Sequence, residues 1–171
     1  MTVYRVSRRV LFLSGALVLS GLLFSASHAL IGLNGAKGAV LAVVNIFIIF
    51  NFITLLFRRI EVDGDTVRLF TIYGRKSINL TDLEEIGIIK LKMRIIVILS
   101  DPKKFVFISS FYRDFESFVE YVKGRVDKEL HESIAKLSEK TIKRKRRILA
   151  AVLGTLNLFF LGSVLYNLLN G

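Results

Sequence analysis

Lys90, Lys92 and Arg94 stand at alternate positions in the stretch IIKLKMRII, while Lys143, Arg144, Lys145, Arg146 and Arg147 follow one another without a break. On a strand, alternate residues share a face, so the first set is expected to present three cations together. Beside an anionic leaflet each cation adds about 1 kcal/mol of attraction, which makes Lys90, Lys92 and Arg94 candidate contacts for anionic lipid. The competing reading is a solvated strand face. The second set abuts an apolar stretch and reads as a juxtamembrane basic anchor. Nothing comparable points to catalysis. General acid–base work needs groups within hydrogen-bond reach of one another. The two histidines, His28 and His131, lie far apart in the chain. Asp63 and Asp65 flank a turn glycine, and Glu84 and Glu85 follow a capping threonine. Cysteine is absent, so there is no disulfide framework and no thiolate chemistry. Without a Gly-rich phosphate loop, a G-x-S-x-G elbow or a metal-ligand cluster, the sequence predicts no catalytic residue, no metal, no cofactor and no enzyme activity. The net charge of +11 could suit nucleic acid, but no recognition signature accompanies it, and no nucleic-acid partner is expected.

The elements that must position these residues are of two kinds. Residues 10–32 contain no charged side chain, residues 38–57 are equally apolar, and 148–169 form a third such run. About 20 apolar residues cross a hydrocarbon core of roughly 30 Å, so three transmembrane helices are predicted, the first two forming a hairpin through the short turn 33–37. All 14 acidic residues fall between Glu61 and Glu139, and of the 25 basic residues only Lys37 lies outside 1–9 and 58–147. The basic flanks thus share one side of the membrane, which the positive-inside rule makes cytoplasmic. A multi-pass protein of the cell (inner) membrane follows, with its N-terminus and central segment in the cytoplasm. The start of the chain also resembles a cleavable signal peptide, with small residues Ser27 and Ala29 around His28. Removing it would leave the central segment on the same side.

The polar residues of the spans are weighed against transport. Asn45, Asn51, Asn157 and Asn167 are expected to hydrogen-bond between helices. Ala16 with Ser20 and Gly21 with Ser25 are small-residue pairs that permit close packing. No Asp, Glu, Lys or Arg lies within the three runs, and such residues usually mark ion or proton routes.

Residues 58–124 read as a β module. Ile60 and Val62 alternate with Glu61 and Asp63, Gly64-Asp65 reverses the chain, and Thr66–Tyr73 is rich in β-branched and aromatic residues. Gly74-Arg75 turns into Lys76–Leu80, Thr81 and Glu84 stand at capping-box spacing, and Ile86–Leu99 contains two strands with a reversal near Lys92. Asp101-Pro102 turns into a last strand, Lys104–Ser109. Phe111, Phe115, Phe118 and Val122 then give one apolar face of a helix. Residues 125–147 are predicted to continue as one amphipathic, basic connecting helix of about 34 Å at 1.5 Å per residue, leading into the third transmembrane helix in 148–171.

The order of strands and turns, with IEVDGDTV and GRKSINLTDLEEI as its clearest part, resembles the bacterial pleckstrin-homology-like domain over about 58–124. The resemblance implies a cytoplasmic antiparallel β barrel or sandwich of two nearly orthogonal sheets with a C-terminal capping helix, Phe115, Phe118 and Val122 plugging its core. Six strands are read where that family has seven. It also implies binding or assembly rather than a reaction. The fold class expected is therefore a membrane α protein with a small β module. The leading functional expectation is scaffolding or complex assembly at the inner membrane, through membrane lipids and a protein partner or self-association. Signal relay along the connecting helix, or an accessory role to a transporter, is the alternative.

Overall fold

A computed structural model describes residues 1–32, 34–135 and 137–170, which divide into two units. The first comprises Met1–Ser7 with Phe57–Leu149, and the second Arg8–Leu56 with the segment from Ala150 on.

The first unit is built on seven strands, all paired antiparallel. Strands β1 (Thr2–Arg5), β2 (Arg59–Asp63), β3 (Thr66–Thr71) and β4 (Gly74–Asn79) form one sheet in sequence order. Strands β5 (Glu85–Lys90), β6 (Ile95–Ser100) and β7 (Phe105–Ser109) form the other. Two-residue turns set the register of the first sheet. Asp63 pairs with Thr66 around Gly64, whose φ of +53° a residue with a Cβ rarely adopts. Thr71 pairs with Gly74, at φ +117°, around Ile72 and Tyr73. The single helical turn that follows β4 is a short 3-10 turn at Leu80–Asp82, which carries the chain to the second sheet.

Alternation decides what is buried. Ile60, Val62, Val67, Leu69 and Ile78 point inwards from the first sheet, and Ile95, Val97, Leu99, Val106 and Ile108 from the second. Helix α3 (Phe115–Lys123) closes this core with Phe115, Phe118, Val119 and Val122 buried. Phe111 lies in the turn before α3 rather than on its apolar face.

Two expectations are corrected here. The basic N-terminal flank is more than a flank, because Thr2–Arg5 is the seventh strand. Tyr4 and Val6 are buried at 7% and 3% exposure, and Tyr4 stands edge-on to Phe118 at 5.6 Å. A four-residue strand shows only two inward positions, too few for period-two alternation to emerge from the arginines around it. The connecting helix over 125–147 is also not one helix. It is divided into α4 (Lys128–Ala135) and α5 (Glu139–Asn170). Ser138 starts the second, its side-chain oxygen accepting from the Thr141 amide at 3.3 Å and lying 2.8 Å from the Thr141 hydroxyl. A serine that satisfies a first-turn amide in this way opens a new helix in preference to extending the old one.

The second unit consists of α1 (Arg8–Ile31), α2 (Gly35–Phe57) and the greater part of α5, three helices long and apolar enough to span a membrane. They mark the chain as a membrane protein. Asn34 caps α2, accepting from the Lys37 amide at 2.9 Å and so starting it ahead of the expected residue 38. The rest of the turn expected at 33–37 includes Leu33, which lies outside the described residues.

The amides are used between helices. Asn157 accepts from the Ser20 hydroxyl at 3.0 Å and donates to the Leu13 carbonyl at 3.1 Å. Asn45 donates to the Ser25 hydroxyl at 2.6 Å, and Asn167 to the Ser27 hydroxyl at 3.0 Å. Asn51 instead bonds within its own helix, to the Phe47 carbonyl. A Cβ added at Gly21 would come within 3.1 Å of the Asn45 side chain, so the small residues of α1 do permit close approach.

Candidate functional site

The strand registers define two poles in the first unit. At one pole lie the rungs Arg5–Arg59, Arg59–Phe70, Thr71–Gly74, Lys90–Ile95 and Ile96–Ser109. Backbone bonds join the two sheets here. The Ser7 amide donates to the Phe111 carbonyl at 2.8 Å and the Arg113 amide to the Arg5 carbonyl at 2.7 Å. This is also the exit pole, because Ser7 leads into α1 and Phe57 ends α2. Near the start of α5, Arg146 is bonded to Tyr112 and Glu116 at the same pole. The other pole carries the Gly64 and Asp101 turns. There the Tyr121 hydroxyl donates to the Gly64 carbonyl at 2.7 Å, and Arg125 meets Asp65 at 3.0 Å.

Charge is uneven along this axis. Arg5, Arg58, Arg59, Lys90, Lys92 and Arg113 stand at the exit pole. Asp63, Asp65, Asp82, Glu84 and Asp101 gather at or near the far one, where the Glu84 amide bonds the Ser100 carbonyl, and they are joined there by Lys103, Lys104, Arg125 and the N-terminal ammonium.

Lys90, Lys92 and Arg94 do lie close together, but not on one strand face. Lys90 ends β5, and residues 91–94 form the reversal into β6, closed by the Leu91 amide donating to the Arg94 carbonyl at 2.9 Å. A reversal breaks the alternation on which a shared face depends. Lys90 and Lys92 are exposed, whereas Arg94 is half-buried, with its guanidinium 5.5 Å from the centre of the Phe111 ring. Two of the three cations are thus free at the tip, and the third fastens the tip to the module. Between them stand Leu91 and Met93, exposed at 38% and 39%.

The basic run is also divided. Lys143 pairs with Glu139 one turn earlier. Lys140, Lys143, Arg144 and Arg147 line a groove of about 490 Å³ along α5, while Lys145 is half-buried. Arg146 turns the other way, donating to Glu116 Oε2 at 3.1 Å and to the Tyr112 carbonyl at 3.3 Å. Tyr112 itself is buried, and burial pushes its phenol up to about 12, with Arg58 pulling in the opposite direction.

A surface that the charge pattern did not point to lies on the second sheet. Across its outer face Gly87, Ile98 and Phe107 are in register, and Ile89 pairs with Ile96. Phe105 and Phe107 are 51% and 47% exposed and touch edge-on at 5.2 Å, with Lys76 over the Phe105 ring at 5.3 Å. An antiparallel sheet with one wet face normally alternates apolar with polar. Here both faces are apolar. The sequence does carry that signal, since Ile86–Ile89, Ile95–Leu99 and Phe105–Ile108 are apolar at both parities.

In the second unit, one hollow of about 350 Å³ is lined by His28, Ala36, Lys37, Val40 and Leu41. The His131 side chain lies outside the described residues, and among the described residues no group of three His, Asp or Glu side chains is placed to hold a metal ion. No family model, no curated protein and no solved structure matches the chain.

Proposed function

We propose that this protein is a membrane-anchored interaction module, in which the spans hold a small β domain against the cell (inner) membrane so that it can dock a protein and organise a complex there. The observation that carries this reading is the apolar outer face of β5–β7, with Ile89, Ile96, Ile98, Phe105 and Phe107 on the side away from the core. Apolar area left in water is a cost that a docked partner removes, at roughly 25 cal/mol per Å² covered. Seven antiparallel strands in sheets of four and three, followed by a helix buried against them, support a pleckstrin-homology-like domain, with the transmembrane hairpin inserted between its first two strands. The basic flanks support a cytoplasmic position for the β domain. The role is binding rather than catalysis.

The test is a photo-crosslinking amino acid placed at Phe107 in the full chain, in its native membrane, with Glu84 as the control position. The expected result is a discrete adduct at Phe107, either to one protein or to a second copy, and none at Glu84. Absence of any adduct at Phe107, Ile98 and Ile89 alike overturns the docking role.

A further inference from the structure

We propose that the β5–β6 tip is a membrane-inserting finger, with Leu91 and Met93 entering the headgroup layer of an anionic leaflet while Lys90 and Lys92 bind its lipid phosphates. The inference does not depend on what docks on the outer face of β5–β7. It rests first on position. The tip belongs to the exit pole, as Lys90 pairs with Ile95, Ile95 with Ser110 through two hydrogen bonds of 2.8 and 3.0 Å, and Phe111 with Ser7, the residue before α1. The chain therefore leaves for an apolar span within a few residues of the finger's base.

Charge gives the second argument. The exit pole is cationic, whereas at the far pole the carboxylates are offset by Lys103, Lys104, Arg125 and the N-terminal ammonium, so an anionic surface attracts the end that carries the finger more than the other. Composition gives the third. A hairpin tip made for water is polar, yet this one alternates Lys90, Leu91, Lys92 and Met93 with all four exposed. Interleaved cations and apolar side chains are what an interfacial segment needs, since apolar groups sink about 5–10 Å into the boundary while cations stay with the phosphates. Lysine suits the role because its alkyl stem lies along apolar surface with the ammonium at the headgroups. Arg94, held over Phe111, is the hinge-side anchor rather than a lipid contact. At the same pole the β3–β4 turn presents Tyr73 at 77% exposure. Tyrosine concentrates at membrane interfaces, and Tyr73 gives the finger a second point of contact.

The chain has no cysteine, so Met93→Cys gives one labelling site for an environment-sensitive fluorophore, and Lys103→Cys gives a matching site at the far pole. Each labelled full-length protein is placed in nanodiscs of phosphatidylcholine alone or of phosphatidylcholine with phosphatidylglycerol, some carrying a quencher near the headgroup. Expected at position 93 are a blue-shifted emission and strong quenching in the anionic discs. Both should be lost in Lys90→Glu/Lys92→Glu and absent at position 103. Emission at 93 as water-like as at 103 in both lipids overturns the proposal. Equal quenching in both lipids that survives the charge reversal overturns the anionic assignment. A blue shift only in native membranes, never in nanodiscs, reassigns the tip to a protein and overturns the lipid role. All replaced side chains are exposed, and an unchanged thermal midpoint checks that each variant is folded.

Discussion

Arg146 reaches back from α5 to Glu116 on α3, Nη2 to Oε2 at 3.1 Å, while Arg144 and Arg147 beside it stay exposed. Side-chain exposures of 25% and 20% keep this ion pair partly out of water, so its loss is felt more than that of a surface pair. Arg146→Gln is expected to destabilise the first unit by about 1–2 kcal/mol, in keeping with hydrogen bonds to charged groups, while Arg144→Gln changes stability little. Thermal unfolding in mild detergent measures both. An equal effect of the two substitutions would remove the special role of Arg146.

The N-terminal strand makes a second prediction. Tyr4→Ala deletes a buried ring that packs on Phe118 and is expected to cost about 3 kcal/mol or more. Val3→Ala, on the exposed side of the same strand, should be near neutral. For the same reason the mature protein is expected to keep residues 2–6, because a cut after Ala29 would strip β1 from its sheet. Mass spectrometry of protein taken from membranes reads this directly.

Tyr112 sets a pH dependence. Its folded value of about 12 lies above the ordinary 10.0, so the native state holds the phenolic proton that the unfolded chain has released. The unfolded state therefore binds fewer protons between these values, and stability falls as pH rises from about 10 to about 12, by roughly 2–3 kcal/mol at the end of that window. Tyr112→Phe should flatten this slope. Unfolding followed by circular dichroism across that range checks the sign.

In the spans, Asn157→Leu removes bonds to Ser20 and Leu13 and is expected to cost about 0.6–1.7 kcal/mol. Gly21→Leu should cost more, since even a Cβ there meets Asn45 Oδ1 at 3.1 Å. Asn51→Leu, whose amide among the described residues bonds within α2, is the neutral control. Resistance to unfolding in detergent of increasing harshness ranks the three.

How far the sequence could be read depended on how much chain each feature engages. The spans are legible because about 20 apolar residues in a row match the thickness of a hydrocarbon core. The turns at Gly64 and Gly74 are legible because their φ values favour glycine. Strand β1 was hidden by brevity, and the break before Ser138 by the lack of a proline or glycine there. At the candidate site, the cations were found from their spacing. The reversal expected near Lys92 falls at residues 91–94, and that bend breaks the alternation from which a strand face shared by the three cations was read. The outer face of β5–β7 was written in the sequence throughout. An apolar run of both parities is equally consistent with a strand covered on both sides, and only the register separates inner from outer residues.

The pairing of Thr2 with Val62 and of Arg5 with Arg59 encloses the whole of α1 and α2 within one strand connection. During synthesis β1 is made first, yet its partner appears only after both spans have left the ribosome. The first sheet can therefore be finished only once the hairpin has been made. A nascent chain halted before Arg59 holds two helices ready for the bilayer and a lone strand with nothing to pair. Completion of the β domain thus reports that the anchor has been produced, and a chain that loses its first strand would keep its anchor while lacking the edge that completes its domain.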